Sequence, residues 1–248
     1  MFSKPAVNLL LTPVLTSALA FVGAGANAIT LNGSSGTWSN PVGGSFIEFQ
    51  TVGEENQIRW GDAVIPGQPS GLGFTGVETT EVELENVFQI GTLRHFNNTI
   101  FGDTAASAVD LSIDLDFTEF GVRSFDFSFE IDETTNQGEA ENCPYPSLTP
   151  CSDRISFPVA FAPQSFDIDD VSYTLSLEGF SSAVDQSILS DFISDESQTS
   201  EALLFGKITA VANIGQPDAT VPEPQTIAGL FAVGSIFASR LLKRDWLK

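Results

Sequence analysis

Val109-Asp110-Leu111-Ser112-Ile113-Asp114-Leu115-Asp116-Phe117, followed after a short break by Phe125-Asp126-Phe127-Ser128-Phe129-Glu130-Ile131, decides the fold class of this chain. Apolar and polar residues alternate with a period of two, so each segment reads as a strand with one face in a core and the other in water. Glu119-Phe120-Gly121-Val122 between them reads as the connection of a hairpin. Working outward, further strands are expected at residues 45–52, 57–60, 87–96, 154–161, 171–177 and 204–213, punctuated by Gly and Pro clusters at 40–44, 66–73 and 144–150. Residues 182–195 fit either one short helix or an acidic loop. With 21 Phe and almost no helical period, the chain reads as all-β, an antiparallel β-sandwich for which a jelly roll is one arrangement. There is no internal repeat and no boundary marking a second domain.

The two ends differ in kind from this middle. Lys4, an apolar stretch from Ala6 to Phe21 broken by Pro13, and the small-x-small sequence Ala26-Asn27-Ala28 read as a signal peptide over residues 1–28, with signal peptidase as its processing enzyme. Residues 29–220 then form one exported domain, long enough to bury its own core. Residues 221–248 carry Val221-Pro222-Glu223-Pro224, an uncharged run from Ile227 to Ala238, and the cations Arg240, Lys243, Arg244 and Lys248. Pro222 and Pro224 hold Glu223 in an extended segment that an enzyme can reach. The apolar run is short for the roughly 17 to 25 residues of a spanning helix unless Leu241 and Leu242 join it and Arg240 snorkels. The basic cluster predicts that this end stays cytoplasmic.

These features resemble the PEP-CTERM sorting signal of exported bacterial proteins. The resemblance implies recognition and cleavage by an exosortase, a membrane-embedded cysteine protease. The protein would then be tethered in the inner membrane for a time and afterwards released to the cell surface or outside.

Removing both ends sharpens the charge. Of 32 acids, Glu223 and Asp245 lie in the tail, leaving 30; of ten Lys and Arg, Lys4, Arg240, Lys243, Arg244 and Lys248 lie in the ends, leaving five, so the domain carries 30 minus 5, or 25, net negative charges. Such a field repels phosphate, which disfavours nucleic acid and anionic lipid as partners. It suits solubility, a divalent cation or a neutral glycan.

Candidate chemistry is sparse. Cys143 and Cys151, the only cysteines, lie in a loop-like stretch and read as a disulfide once exported. His95 is the single histidine; Leu93, His95 and Asn97 share one strand face, with Arg94 and Phe96 on the other. His95 and Asn97 read as backbone partners at a strand end, or, with an exposed Trp60, as the lining of a sugar site. Asp167, Asp169 and Asp170 are the candidates for calcium, although their spacing matches no twelve-residue calcium loop. No nucleophile elbow, phosphate loop, zinc helix or dinucleotide fingerprint is present. Paired carboxylates of a glycoside hydrolase depend on distances that sequence does not supply.

A second resemblance covers most of residues 59–213. The segments Arg59-Trp60-Gly61, Phe88-Gln89-Ile90-Gly91-Thr92-Leu93-Arg94-His95-Phe96-Asn97-Asn98-Thr99-Ile100, Cys143-Pro144-Tyr145, Cys151-Ser152-Asp153-Arg154-Ile155-Ser156-Phe157 and Val171-Ser172-Tyr173-Thr174-Leu175-Ser176-Leu177-Glu178-Gly179-Phe180 resemble the THxN branch of PEP-CTERM proteins. They are also similar to exported domains called choice-of-anchor K. Arg94 stands where that pattern has Thr. The resemblance makes Trp60, Gly61, His95 and Asn97 the motif residues and implies an exported β-sandwich without an assigned activity. The expected function is therefore a structural or interaction role at the cell surface or in the extracellular matrix, without catalysis. Carbohydrate binding to extracellular polysaccharide, with or without calcium, comes second, and an acidic glycoside hydrolase last.

Overall fold

A computed structural model describes residues 28–136, 139–148, 150–157, 163–184 and 187–213. Residues 1–27 of the expected signal peptide (1–28), Val221-Pro222-Glu223-Pro224, and the basic cluster Arg240, Lys243, Arg244 and Lys248 lie outside the described residues. The strands are β1 (Ala28–Gly43), β2 (Glu48–Val52), β3 (Glu55–Trp60), β4 (Ser70–Gly76), β5 (Thr80–Glu83), β6 (Val87–Asn97), β7 (Ala106–Phe117), β8 (Gly121–Asp132), β9 (Asp153–Ser156), β10 (Gln164–Ile168), β11 (Val171–Ser181), β12 (Asp191–Ser194) and β13 (Gln198–Ala212). All pairings are antiparallel, in two sheets ordered β12-β9-β8-β7-β1-β5 and β10-β11-β13-β6-β4-β3-β2. Among the described residues the only helical element is a 3-10 turn at Ala140–Asn142, and no helix is long and apolar enough to cross a membrane.

The opening stretch forms the β7–β8 hairpin, with Val109 opposite Phe129, Leu111 opposite Phe127 and Ile113 opposite Phe125. Leu111, Ile113 and Phe129 have no exposed surface, while the alternate residues, such as Asp116, Asp126 and Ser128, face water. Ile58, Leu72, Leu93 and Leu204 of the other sheet close the same core. Each such side chain contributes about 1.5 to 3 kcal/mol by leaving water. Rings of Phe129 and Phe180 meet across the sheets at 6.1 Å, and the Trp38 indole N–H donates to the Asn56 carbonyl at 2.8 Å.

Several strands lie where turn chemistry was expected. β1 runs into the 40–44 cluster before it ends at Gly43, with register shifts at Ser39/Val42 and Val42/Gly43, helped by positive φ at Asn40 and Gly43. Residues 182–195 contain β12 instead of a helix, because Phe192 and Ile193 pair with Ile155 and Arg154 at the sheet edge. Strand β4 starts inside the Gly- and Pro-rich stretch 66–73, at Ser70, after the turn at Pro66 and Gly67. A Cβ at Gly73 would strike the Glu55 carboxylate lying across it, and one at Gly71 would strike the Ile58 carbonyl. These glycines serve close approach within a sheet instead of a turn.

Cys143 and Cys151 form a disulfide with their Cα atoms 5.3 Å apart. It staples the connection between β8 and β9, which is also held by the Thr134 hydroxyl donating to the Cys151 carbonyl at 3.1 Å. A loop this short contributes about 2 to 3 kcal/mol in the chain-entropy picture.

Gly71→Ala should lower the urea midpoint more than Gly73→Ala does. The first substitution meets fixed backbone and should cost on the order of 2 kcal/mol, whereas the second meets the tip of a flexible side chain. Equal losses from paired equilibrium unfolding curves would contradict this packing.

Candidate functional site

The motif residues gather inside the sandwich. Leu93, His95 and Asn97 of β6 face the core with zero exposure, and Arg94 and Phe96 face outward, half-buried.

 Trp60 at the end of β3 is likewise fully buried and stacks on the His95 ring at a centroid distance of 6.4 Å. Gly61 follows with φ +94 and donates its N–H to the Ser45 carbonyl at 2.8 Å, and a Cβ there would strike Ile100. The structure thus brings Trp60, Gly61, His95 and Asn97 together, but as interior groups. An exposed Trp60 beside His95 and Asn97 is not what the strand phase produces, and these rings and amides present no surface to a saccharide.

His95 is buried as the neutral imidazole. Desolvation, and then the charge of Arg59, push its pKa down to about 3, and neither ring nitrogen has a hydrogen-bond partner. The Asn97 amide donates to the Ser194 carbonyl at 2.9 Å, tying β6 to the end of β12. On the outer face, Arg94 bonds Glu201 at 2.6 Å and Glu55 at 3.2 Å, so the residue that replaces Thr in the motif links β6 to β13 and β3. The Arg59 guanidinium lies 4.0 Å from the centre of the Phe96 ring beside it.

Beyond Asn97 three carboxyl groups converge: Glu133 just after β8, Asp153 at the start of β9 and Glu196 just past β12. Thr134 donates to Asp153 Oδ1 from its backbone N–H at 2.7 Å and its hydroxyl at 3.1 Å. The Thr99 hydroxyl donates to Glu196 Oε1 at 2.6 Å, and the Asn136 amide, turned with its nitrogen toward Glu196, donates to both carboxylate oxygens at 3.1 and 2.7 Å. Both oxygens of Glu133 and Oδ2 of Asp153 are sealed from solvent and have no donor. The neighbouring cation, Arg154, is directed instead to Asp132 at 3.9 Å and over the Tyr145 ring at 4.9 Å.

Carboxylates buried without a cation hold protons. Desolvation first, then the charges of Asp153 and Glu196, push Glu133 up to about 9; desolvation likewise pushes Asp153 up to about 7, against the Thr134 hydrogen bonds, and burial raises Glu196. A proton on Glu133 supplies the donor that the Glu133 oxygens and Asp153 Oδ2 otherwise lack and turns a carboxylate repulsion into a hydrogen bond with Asp153. A general acid also needs a substrate within reach. These sealed oxygens meet none in this conformation.

The calcium candidates do not converge. Asp167 lies in β10 and accepts from the Ser172 hydroxyl, Asp169 takes φ +50 in the turn to β11, and the Asp170 carbonyl accepts from the Asn213 N–H at 2.6 Å. Among the described residues no group of three or more His, Cys, Asp or Glu is placed to hold a metal ion. No protein-family model matches the chain, and no curated protein matches it in sequence.

Sequence reasoning passed over Glu133, Asp153 and Glu196, although phase marks two of them. Glu133 continues the inward series Phe125, Phe127, Phe129 and Ile131, and Asp153 shares a face with the buried Ile155.

Between pH 6.5 and 9 the unfolded chain has already released the protons of Glu133 and Asp153, whereas the folded chain keeps that of Glu133 and part of that of Asp153. Stability therefore falls as pH rises, by about 1.4 kcal/mol per pH unit for each retained proton. His95, with its lowered pKa, acts in the opposite sense only below about pH 6.5, where the unfolded chain alone takes up its proton. Urea unfolding should show a loss on the order of 2 to 3 kcal/mol from pH 7 to 9, much reduced in Glu133→Gln. A wild-type profile that is flat across this window would contradict proton storage in the cluster.

Proposed function

We propose that this protein is exported, held in the inner membrane through its C-terminal segment, and sorted by an exosortase to the cell surface or extracellular matrix, where it has a structural or interaction role without catalysis. The observation that carries this reading is the placement of the two ends of the domain. Ala28 pairs with Glu83, and Glu85, two residues on, donates its N–H to the Ile208 carbonyl at 2.8 Å and accepts from the Ala210 N–H at 3.1 Å. The first and last strands thus leave the domain on the same side. The opposite side, where β13 begins at Gln198 beside Asn97, carries the loops and the carboxylate cluster. A domain attached at one end presents the other to its surroundings.

The remaining support comes from the sequence. The signal peptide and the Val221-Pro222-Glu223-Pro224 tail with its cations Arg240, Lys243, Arg244 and Lys248 bracket the domain, and they resemble the PEP-CTERM arrangement. A disulfide suits an oxidising compartment. The strongly acidic composition favours a soluble surface protein and disfavours nucleic acid as a partner.

Mass spectrometry of the protein from the cell-surface or secreted fraction should show a mature N-terminus at Ile29 and loss of residues beyond about Val221. Recovery there of the chain with its tail intact would overturn sorting by cleavage.

A further inference from the structure

A cleft of about 760 Å³ opens between β12, the end of β11 and the start of β13. Its volume lies in the range of roughly 300 to 1,000 Å³ typical of small-molecule sites. Phe180 and Ala202, both nearly fully buried, contribute apolar surface to its lining. Phe192 also lines it, half-buried, with its ring 6.2 Å from that of Phe180 and supported by the core.

The polar lining is selective. Ser200 accepts from the Ser194 hydroxyl at 3.1 Å, which leaves the Ser200 O–H hydrogen free to donate into the cleft. Ser181 is committed to the Ala183 carbonyl at 2.7 Å. Glu201 is held by Arg94 at 2.6 Å, so Asp191 is left as the carboxylate acceptor of the lining. Among the described residues, no Lys, Arg or His lines the cleft. In a domain with 30 acids and five cations, an anionic ligand is repelled and a neutral one is not.

The Phe192 ring beside the Ser200 hydroxyl donor and the Asp191 carboxylate acceptor matches a pyranose, which has a C–H face and vicinal hydroxyls. The position also suits a tethered protein. Ser200 and Ala212 lie on one continuous strand, twelve residues or roughly 40 Å apart at about 3.3 Å per residue, so the cleft is far from the end where the chain leaves. We infer that this cleft, lined by Phe192, Ser200 and Asp191, binds a neutral oligosaccharide segment of an extracellular polysaccharide. The proposal rests on the interaction role given above and moves sugar recognition from the buried Trp60 to an open site.

The test is a titration of the purified full chain with neutral gluco-, manno-, xylo- and galacto-oligosaccharides of four to six units, read by amide chemical shifts. One of these series should shift Phe192, Ser200 and their strand neighbours, and a uronic acid oligosaccharide of equal length should bind at least tenfold more weakly. Asp191→Asn and Ser200→Ala should each weaken binding about tenfold or more while the amide spectrum stays that of the folded domain; Phe192→Ala should abolish it. Absence of shifts with every neutral series, shifts that map elsewhere, or affinity unaffected by Asp191→Asn and Ser200→Ala would overturn the site. Tail processing is read separately by mass, so failure here leaves the delivery reading standing.

Discussion

The space between the two sheets must be filled, and everything else in the fold depends on how that is done. Along most of its length the filling is apolar: Leu111, Ile113 and Phe129 from one sheet meet Ile58, Leu93 and Leu204 from the other, all without exposed surface. Toward the end where β6 passes into the 98–105 loop, the inward positions become polar, with His95, Asn97, Asp153, Glu133 and Glu196 in place of phenylalanine. Burying ionised groups there would cost several kcal/mol each, so the cluster is compatible with the fold only if it is largely neutral. A neutral His95 imidazole, a protonated Glu133 and a partly protonated Asp153 meet that requirement.

This division gives the domain a direction. The end that receives the first and last strands is conventional sandwich, and the other holds the buried polar groups, the disulfide-stapled connection between β8 and β9, and the neighbouring cleft. Arg94 and Glu55 show the same economy on the outer face. The few cations of an acidic chain are spent on named partners, Glu55 and Glu201 for Arg94, Phe96 for Arg59 and Asp132 for Arg154.

The β7–β8 hairpin was legible in the sequence because its alternation is uninterrupted over both strands, and a period of two admits one reading. That Leu93, His95 and Asn97 share one strand face was legible for the same reason; that this face points into the core was shown by the structure. Strand β4 was not, since Gly71 and Gly73 resemble turn residues until Glu55 and Ile58 of the neighbouring strand are seen against them. Strand β12 is four residues long and sits at a sheet edge, too short for its pattern to compete with the loop chemistry around it. The carboxylate cluster joins residues from three places in the chain, the β8–β9 connection, the start of β9 and the turn between β12 and β13. Its members are individually ordinary in so acidic a chain, and only tertiary contact distinguishes them.

The central claim is that the polar end of the core stores protons at neutral pH. Carbon-13 NMR titration of the side-chain carboxyl carbons measures this directly, residue by residue. The Glu133 signal should keep its protonated shift at pH 7 and titrate near 9, with Asp153 titrating near 7. A Glu133 carboxyl that titrates near pH 4.5, as in an exposed side chain, would contradict the account.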